Sequence, residues 1–423
     1  MFYSRDGLGR ATDYYINRNV GYTQYWVYSV SGASILGCLD YCENVTFGPM
    51  VKFVTKNAFE GTEIFDNAEN TYLKTVDFTN AYRLEEIQEY AFATCKEAKF
   101  TGLNGQYPLK KIGKYAFSCC TALNSIDLGH QIETIEDYAF DRASNLFGIT
   151  IPASLNNLGN DAFYKCDNMQ RVEFEDCDKT ITCTKLRLVF HICENLKEIY
   201  LGRQVEYNED GDSPFIFAKN SLNTVIFGSK VKYINKLFQG INSLQNVSFE
   251  YSDEPIYFQN SPSSDLALAS GYSVKSLNID RRITNAQGTD LIGSDWGSLK
   301  DQITKISFGN NIDQIVPYAF ANFTKLQHEV TIPLNIKTIG AHAFDGATEL
   351  NTVSFLGAPE IKESAFANCT NLEYLSFMND SVKIGNEAFA NCNKIDEIII
   401  VSDGNIPYAG PQDAFSDIAY SNT

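Results

Sequence analysis

The chain has no uninterrupted apolar run of about 18 residues, so no membrane-spanning helix is expected. Its opening residues, MFYSRDGLGRATDYY, lack the apolar segment that follows basic residues in a secretory signal. The chain therefore reads as soluble, cytoplasmic by default, or as the processed part of something longer. Basic residues are few: 34 Lys and Arg stand against 52 Asp and Glu, a net charge of −18. Nucleic acid is not expected as a partner, because such binding rests on neutralising phosphates with cations, and an anionic membrane surface would be repelled for the same reason. Histidine occurs four times, and there is no G-x-S-x-G, no H-E-x-x-H and no glycine-rich loop between a strand and a helix. No catalytic residue and no cofactor is expected, and most carboxylates read as a solvated acidic face.

What the chain has in quantity is hydrophobic residues, 44 %, and aromatics, 13 %, enough to bury a large core. Its 423 residues could hold two or three ordinary domains or one long repeat array. The second is indicated by a recurring small-aromatic pair. Ala-Phe closes at Phe59, Phe92, Phe117, Phe140, Phe163, Phe320, Phe344, Phe366, Phe389 and Phe415, with degenerate copies at Val189-Phe190, Ile216-Phe217 and Leu237-Phe238. From Phe117 to Phe238 the steps are 23, 23, 27, 27 and 21 residues, and from Phe320 they are 24, 22, 23 and 26. Each pair follows an L-x-x-I-x-L stretch, whose alternation is that of a short strand with one buried face.

This frame, I-x-x-I-x-x-x-A-F-x-x-C-x-x-L, resembles the BspA-type leucine-rich repeat, and it covers roughly Trp26 to Phe415. The resemblance implies a β-rich solenoid: a right-handed, curved leucine-rich-repeat array of ~22–27-residue turns with short parallel strands and short helical turns. Residues 1–60 are expected to form an N-terminal cap, including a hairpin at Tyr25 to Gly37, and the first repeat. The solenoid spans 61–415, and 416–423 form a tail. Two spacings depart from the frame, 33 residues between Phe59 and Phe92 and 82 between Phe238 and Phe320. Within the second, Val274 to Asp280 and Ile303 to Gly309 read as strands, and Thr284 to Ser298 as an irregular insertion loop.

Eleven cysteines is an odd number, so at least one is unpaired unless it bonds another chain. Three residues past the Phe lie Cys95, Cys120, Cys166, Cys193, Cys369 and Cys392, a repeat position that suits a small buried side chain packing on its copy in the next turn. Cys119 is expected to be more exposed. Cys177, Cys183, His191 and Cys193 are the best soft-ligand group, but their spacing matches no common zinc frame and Cys193 belongs to the repeat, so no metal is expected. His130, His191, His328 and His342 fall at different repeat positions and read as surface or loop residues. Five Asn-x-Ser/Thr triplets begin at Asn44, Asn246, Asn322, Asn368 and Asn379; for Asn322 and Asn368, two residues past the Phe, turn chemistry is an equal explanation.

A partner would meet the side chains pointing outward from the stacked strands, a row of mostly small hydroxyl and acidic groups. The candidate contacts in it are Arg171, Glu173, Glu198, Tyr200, Ile226, Tyr374 and Ile399, with the large side chains densest from Arg171 to Ile226. The resemblance implies a non-enzymatic protein-interaction module, engaged in adhesion or ligand binding at the cell surface or after secretion. The alternative is a scaffold subunit of an intracellular assembly. The last strand, Ile395 to Ser402, is the most apolar, and its edge is expected to be capped by Gly404 to Phe415 or used for end-on self-association.

Overall fold

The computed structural model describes residues 2–5, 11–16, 43–60, 73–206, 213–266, 274–327, 329–379 and 381–401. The chain divides into two compact units, Met1–Tyr200 with Phe217–Ser221, and Leu201–Ile216 with Leu222–Thr423. Each is a parallel-strand β-solenoid. The expected hairpin at Tyr25 to Gly37, His328 and the expected cap at Gly404 to Phe415 lie outside the described residues.

Every turn is built from two extended pieces and a tight corner. In the first unit the longer strands are Asn44–Phe47, Thr75–Asp77, Lys99–Thr101, Gly148–Ile151, Arg171–Phe174 and Glu198–Leu201. The antiparallel pair Phe2–Arg5 and Ala11–Ile16 opens the sheet, and Ala11–Ile16 runs parallel to Asn44–Phe47. A second ladder of two-residue strands, Phe53–Val54, Glu86–Ile87, Lys111–Ile112, Thr134–Ile135 and Asn157–Leu158, runs in parallel register. In the second unit the longer strands fall into two sets. Thr224–Phe227, Asn246–Phe249, Ser276–Ile279 and Lys305–Phe308 pair in sequence, and so do Glu329–Ile332, Thr352–Phe355, Tyr374–Phe377 and Glu397–Ile400. Alternate residues of each strand face inward, as the period of two requires: in Arg171–Phe174, Val172 and Phe174 are buried while Arg171 is exposed.

The anchor phenylalanines form ladders inside each unit. Ring centroids of Phe117 and Phe140 are 5.3 Å apart at 3°, of Phe140 and Phe163 5.1 Å at 4°, and of Phe344 and Phe366 5.0 Å at 5°. Full burial of each ring contributes about 1.5–3 kcal/mol. One anchor is displaced from the expected frame. Phe215, not Phe217, is buried and stacks on Phe238 at 5.8 Å, and Ala218, three residues on, fills the small-residue slot.

The Ala-Phe corner needs two left-handed residues, two before and two after the Phe. Tyr115 (φ 56°) and Cys119 (φ 58°) flank Phe117, Tyr138 and Arg142 flank Phe140, and Ser364 and Asn368 flank Phe366. The strain is held by hydrogen bonds to the next turn, such as Phe117 N–H to Ala139 O at 2.7 Å and Cys119 N–H to Asp141 O at 2.7 Å. Asn322 (φ 61°) and Asn368 (φ 58°) occupy this corner, where asparagine tolerates the left-handed region better than most residues.

Thr284 to Ser298, expected as an irregular loop, is partly regular and partly core. Thr284 belongs to the strand Ile283–Asn285, 3-10 turns run over Gly293–Asp301 with a kink at Gly297, and Trp296 is buried. Gly293 donates its N–H to Tyr318 O at 2.7 Å, and a Cβ there would meet Ala321 O at 2.1 Å, so glycine alone fits.

Candidate functional site

Arg171, Glu173 and Glu198 come together on the outer face of the first unit. The Arg171 guanidinium lies 3.1 Å from Glu198 on the neighbouring strand through Nε and 3.3 Å from Glu173 through Nη2. Glu173 pairs in register with Thr150, and Arg171 with Gly148. Gly148 leaves the strand surface bare beside Arg171; a Cβ there would stand 2.9 Å from Arg171 O. The Tyr200 hydroxyl donates to Asp176 at 3.1 Å. Opposite charges on facing strands support one another by only a few tenths of a kcal/mol to about 1 kcal/mol, so a partner can rearrange this network at small cost.

The remaining candidates lie in the second unit. Ile226 is half-buried in Thr224–Phe227, opposite Ser248. Tyr374 is exposed opposite Thr352 and Glu397, and Ile399 is exposed opposite Ser376. In Glu397–Ile400 even the inward position, Ile398, is 43 % exposed, whereas its partner Leu375 is 1 % exposed.

Two features had no place in the expected row. Phe147, 56 % exposed, immediately precedes Gly148, and its carbonyl accepts from Gln170 N–H at 2.7 Å. A stacked row also runs along the corners: Tyr90 on Tyr115 at 5.0 Å and Tyr115 on Tyr138 at 4.9 Å. Burial raises the Tyr90 and Tyr115 hydroxyls above the usual tyrosine value, and Tyr138 is raised chiefly by its hydrogen bond to Asp161. The signal for this row is in the sequence, because Tyr-Ala-Phe recurs at Tyr90, Tyr115, Tyr138 and Tyr318.

The second unit also contains a cleft of about 380 Å³. Its short strands form two separate ladders, one ending at Ile283–Asn285 and the other beginning at Gln314–Ile315. The cleft is lined from both sides, by Ile283 and Leu291 and by Ile315 and Phe320, with Trp296 and Phe308 also in its wall. Phe308 is half-buried there, while Phe249 and Phe355, at the same strand position, are fully buried.

A family model for the BspA-type leucine-rich repeat region matches residues 61–185, 110–236, 187–268 and 295–418. The chain belongs to that family. No curated protein matches it. Among solved structures it is similar to a leucine-rich repeat protein from Bacteroides ovatus, at 22 % identity over 82 % of both chains with a TM-score of 0.35. It is similar to the T. pallidum leucine-rich repeat protein, at 19 % identity over 49 % of this chain and 82 % of that one, TM-score 0.34. A leucine-rich cell surface protein from Faecalibacterium prausnitzii matches at 16 % identity over 95 % and 93 % of the two chains, TM-score 0.28.

In this BspA-type array the repeat cysteines have a defined role. Cys95, Cys120, Cys166, Cys193, Cys369 and Cys392 are buried free thiols. Each donates to the carbonyl of the anchor Phe one turn earlier, as Cys120 does to Phe92 O at 3.1 Å and Cys369 to Phe344 O at 3.3 Å. Burial pushes the Cys120, Cys166 and Cys369 thiols well up, which suppresses the reactive thiolate. Of the soft-ligand group, Cys193 donates to Phe163 O at 3.1 Å and His191 faces Asp161 at 3.4 Å. The Cys183 side chain lies outside the described residues. His130 faces Glu175 at 3.3 Å, and His342 stacks on Tyr318 at 4.7 Å. Among the described residues no helix is long and apolar enough to cross a membrane.

Proposed function

We propose that this chain is a protein-binding module whose partner docks on the outward row of the first unit, in adhesion or ligand capture at a cell surface or after secretion. The family is an interaction scaffold; what supports the location is the Arg171–Glu173–Glu198 network, with Tyr200 and exposed Phe147 beside it. Tyr, Arg and Phe are side chains around which binding energy concentrates, and here they stand among small residues that let a partner approach. Arg171→Ala, Tyr200→Ala and Phe147→Ala together remove surface groups and leave the core intact. A photo-crosslinking residue at Tyr200 would identify the partner. The purified partner should then bind the triple variant at least roughly tenfold more weakly. Unchanged affinity with an unchanged melting curve would reject this face.

A second reading, self-association as a scaffold subunit, is favoured by the exposure of Ile398, Ile399 and Ile400 on both faces of the last described strand. Light scattering of the intact chain should then report a dimer that Ile399→Lys dissociates; a monomer at all concentrations removes this reading.

A further inference from the structure

The cleft between Ile283–Asn285 and Gln314–Ile315 contains none of the outward-row residues, so it is independent of the strand-face reading. Its volume is within the range of small-ligand sites. Its charged lining is four aspartates, Asp253, Asp280, Asp290 and Asp313, against two arginines. Neither arginine is placed to receive an anion. Arg281 is buried and donates to the carbonyls of Gly228 at 3.1 Å and Glu254 at 2.9 Å, and Arg282 is paired with Asp290. Asp280 is committed as well, accepting from Asn311 N–H at 2.8 Å and Asn311 Nδ2 at 2.7 Å. Asp313 and Asp253, the latter accepting from the Tyr251 hydroxyl, are exposed at the edge of the partly apolar cavity.

Among the described residues no three ligating side chains converge to hold a metal ion. The carboxylates are spread around a partly apolar interior instead of meeting at a point. We propose that this cleft binds an organic cation, a protonated amine or guanidinium on an apolar or aromatic stem. The stem lies against Phe308 and Ile283, and the charge meets Asp253 and Asp313 at the rim through charge-assisted hydrogen bonds. A free arylalkyl amine and a basic side chain next to an apolar one in a polypeptide offer the same chemistry.

The chain has two tryptophans, so Trp26→Phe leaves Trp296 in the cleft wall as the reporter. The full-length Trp26→Phe protein is titrated with 2-phenylethylamine, with acetyl-Phe-Arg-amide and with phenylacetate. At least one cation should give a saturable change in Trp296 emission, with phenylacetate at least roughly tenfold weaker. Asp253→Asn with Asp313→Asn should weaken that cation by roughly tenfold and leave the melting curve in place. Tighter binding of the dipeptide assigns the ligand to a polypeptide, and tighter binding of the amine to a small molecule. No saturation by either cation, equal response to phenylacetate, or a double variant that folds and binds undiminished would overturn the proposal.

Discussion

The corners from Phe92 to Phe190 and the region from Phe249 to Phe323 are made of the same repeat and behave differently. In the first, anchors recur every 23 to 27 residues and each ring stacks on the next. In the second, 82 residues separate Phe238 from Phe320, and 3-10 turns seated by Gly293 against Ala321 stand beside the anchor. There the short strands form separate ladders and Phe308 becomes a cavity wall. Regular spacing yields a sealed core, and a stretched repeat opens one, because a solenoid turn is closed only by its neighbours.

The largest effect that would test this contrast is at the anchors. Phe140→Ala removes a fully buried, twice-stacked ring and should cost about 3–5 kcal/mol. Phe308→Ala removes a ring that already borders a cavity and should cost about 1–2 kcal/mol. Urea unfolding of both variants measures the difference; equal losses would mean that the stretched region is packed as tightly as the regular one.

Thiols give the next effect. Native labelling should miss the six repeat cysteines, and denaturant should expose them; fast native reaction of Cys166 or Cys369 would break the ladder. The structure places Phe92 O at 3.1 Å from the Cys120 sulfur, so the acceptor is ready. Cys120→Ser should therefore cost only about 1 kcal/mol, read as a shift in the unfolding midpoint.

A similar size and the opposite sign is expected at Ile192. It holds φ 62° two residues past Phe190, where a β-branched side chain is poorly suited. Ile192→Asn should stabilise by about 1 kcal/mol, and a lower melting temperature would argue that its side-chain packing outweighs the strain.

Much of this was legible in the sequence, and the limits have physical causes. Ala-Phe and the cysteine position mark the corner because both are fixed by close stacking, and the outward row follows from strand alternation. The shift from Phe217 to Phe215 was not legible, since both frames offer a phenylalanine and burial of Ala218 decides between them. The cleft was not legible either: it arises from a failure of two short strands to pair, and its aspartates are ordinary loop residues along the chain. The pairing of Arg171 with Glu198 needed the register of neighbouring turns, which no local pattern supplies.

The smallest effect lies inside the most regular ladder. At the position after the anchor, Ala93, Ala367 and Ala390 are apolar, but the copy after Phe140 is Asp141, 3 % exposed. It accepts from Ser118 Oγ at 3.1 Å and Arg142 Nη1 at 3.0 Å, and its Oδ1 is buried with no hydrogen-bond partner among the described residues. Burial raises this carboxyl above its ordinary value, and Arg142 and Ser118 only partly oppose the rise. A carboxyl whose folded pKa lies above its unfolded one stabilises the fold while protonated. That contribution is full below the unfolded value of about 4 and is lost as pH rises through the folded value. Asp141→Asn keeps the shape and removes the charge, so the variant should match the natural protein near pH 4 and exceed it by about 0.5–1 kcal/mol at pH 7. Paired urea titrations at the two pH values measure the difference. A gap that does not change with pH would show that Asp141 is held as a charged partner of Arg142, and that this ladder tolerates a buried ion pair as readily as a ring.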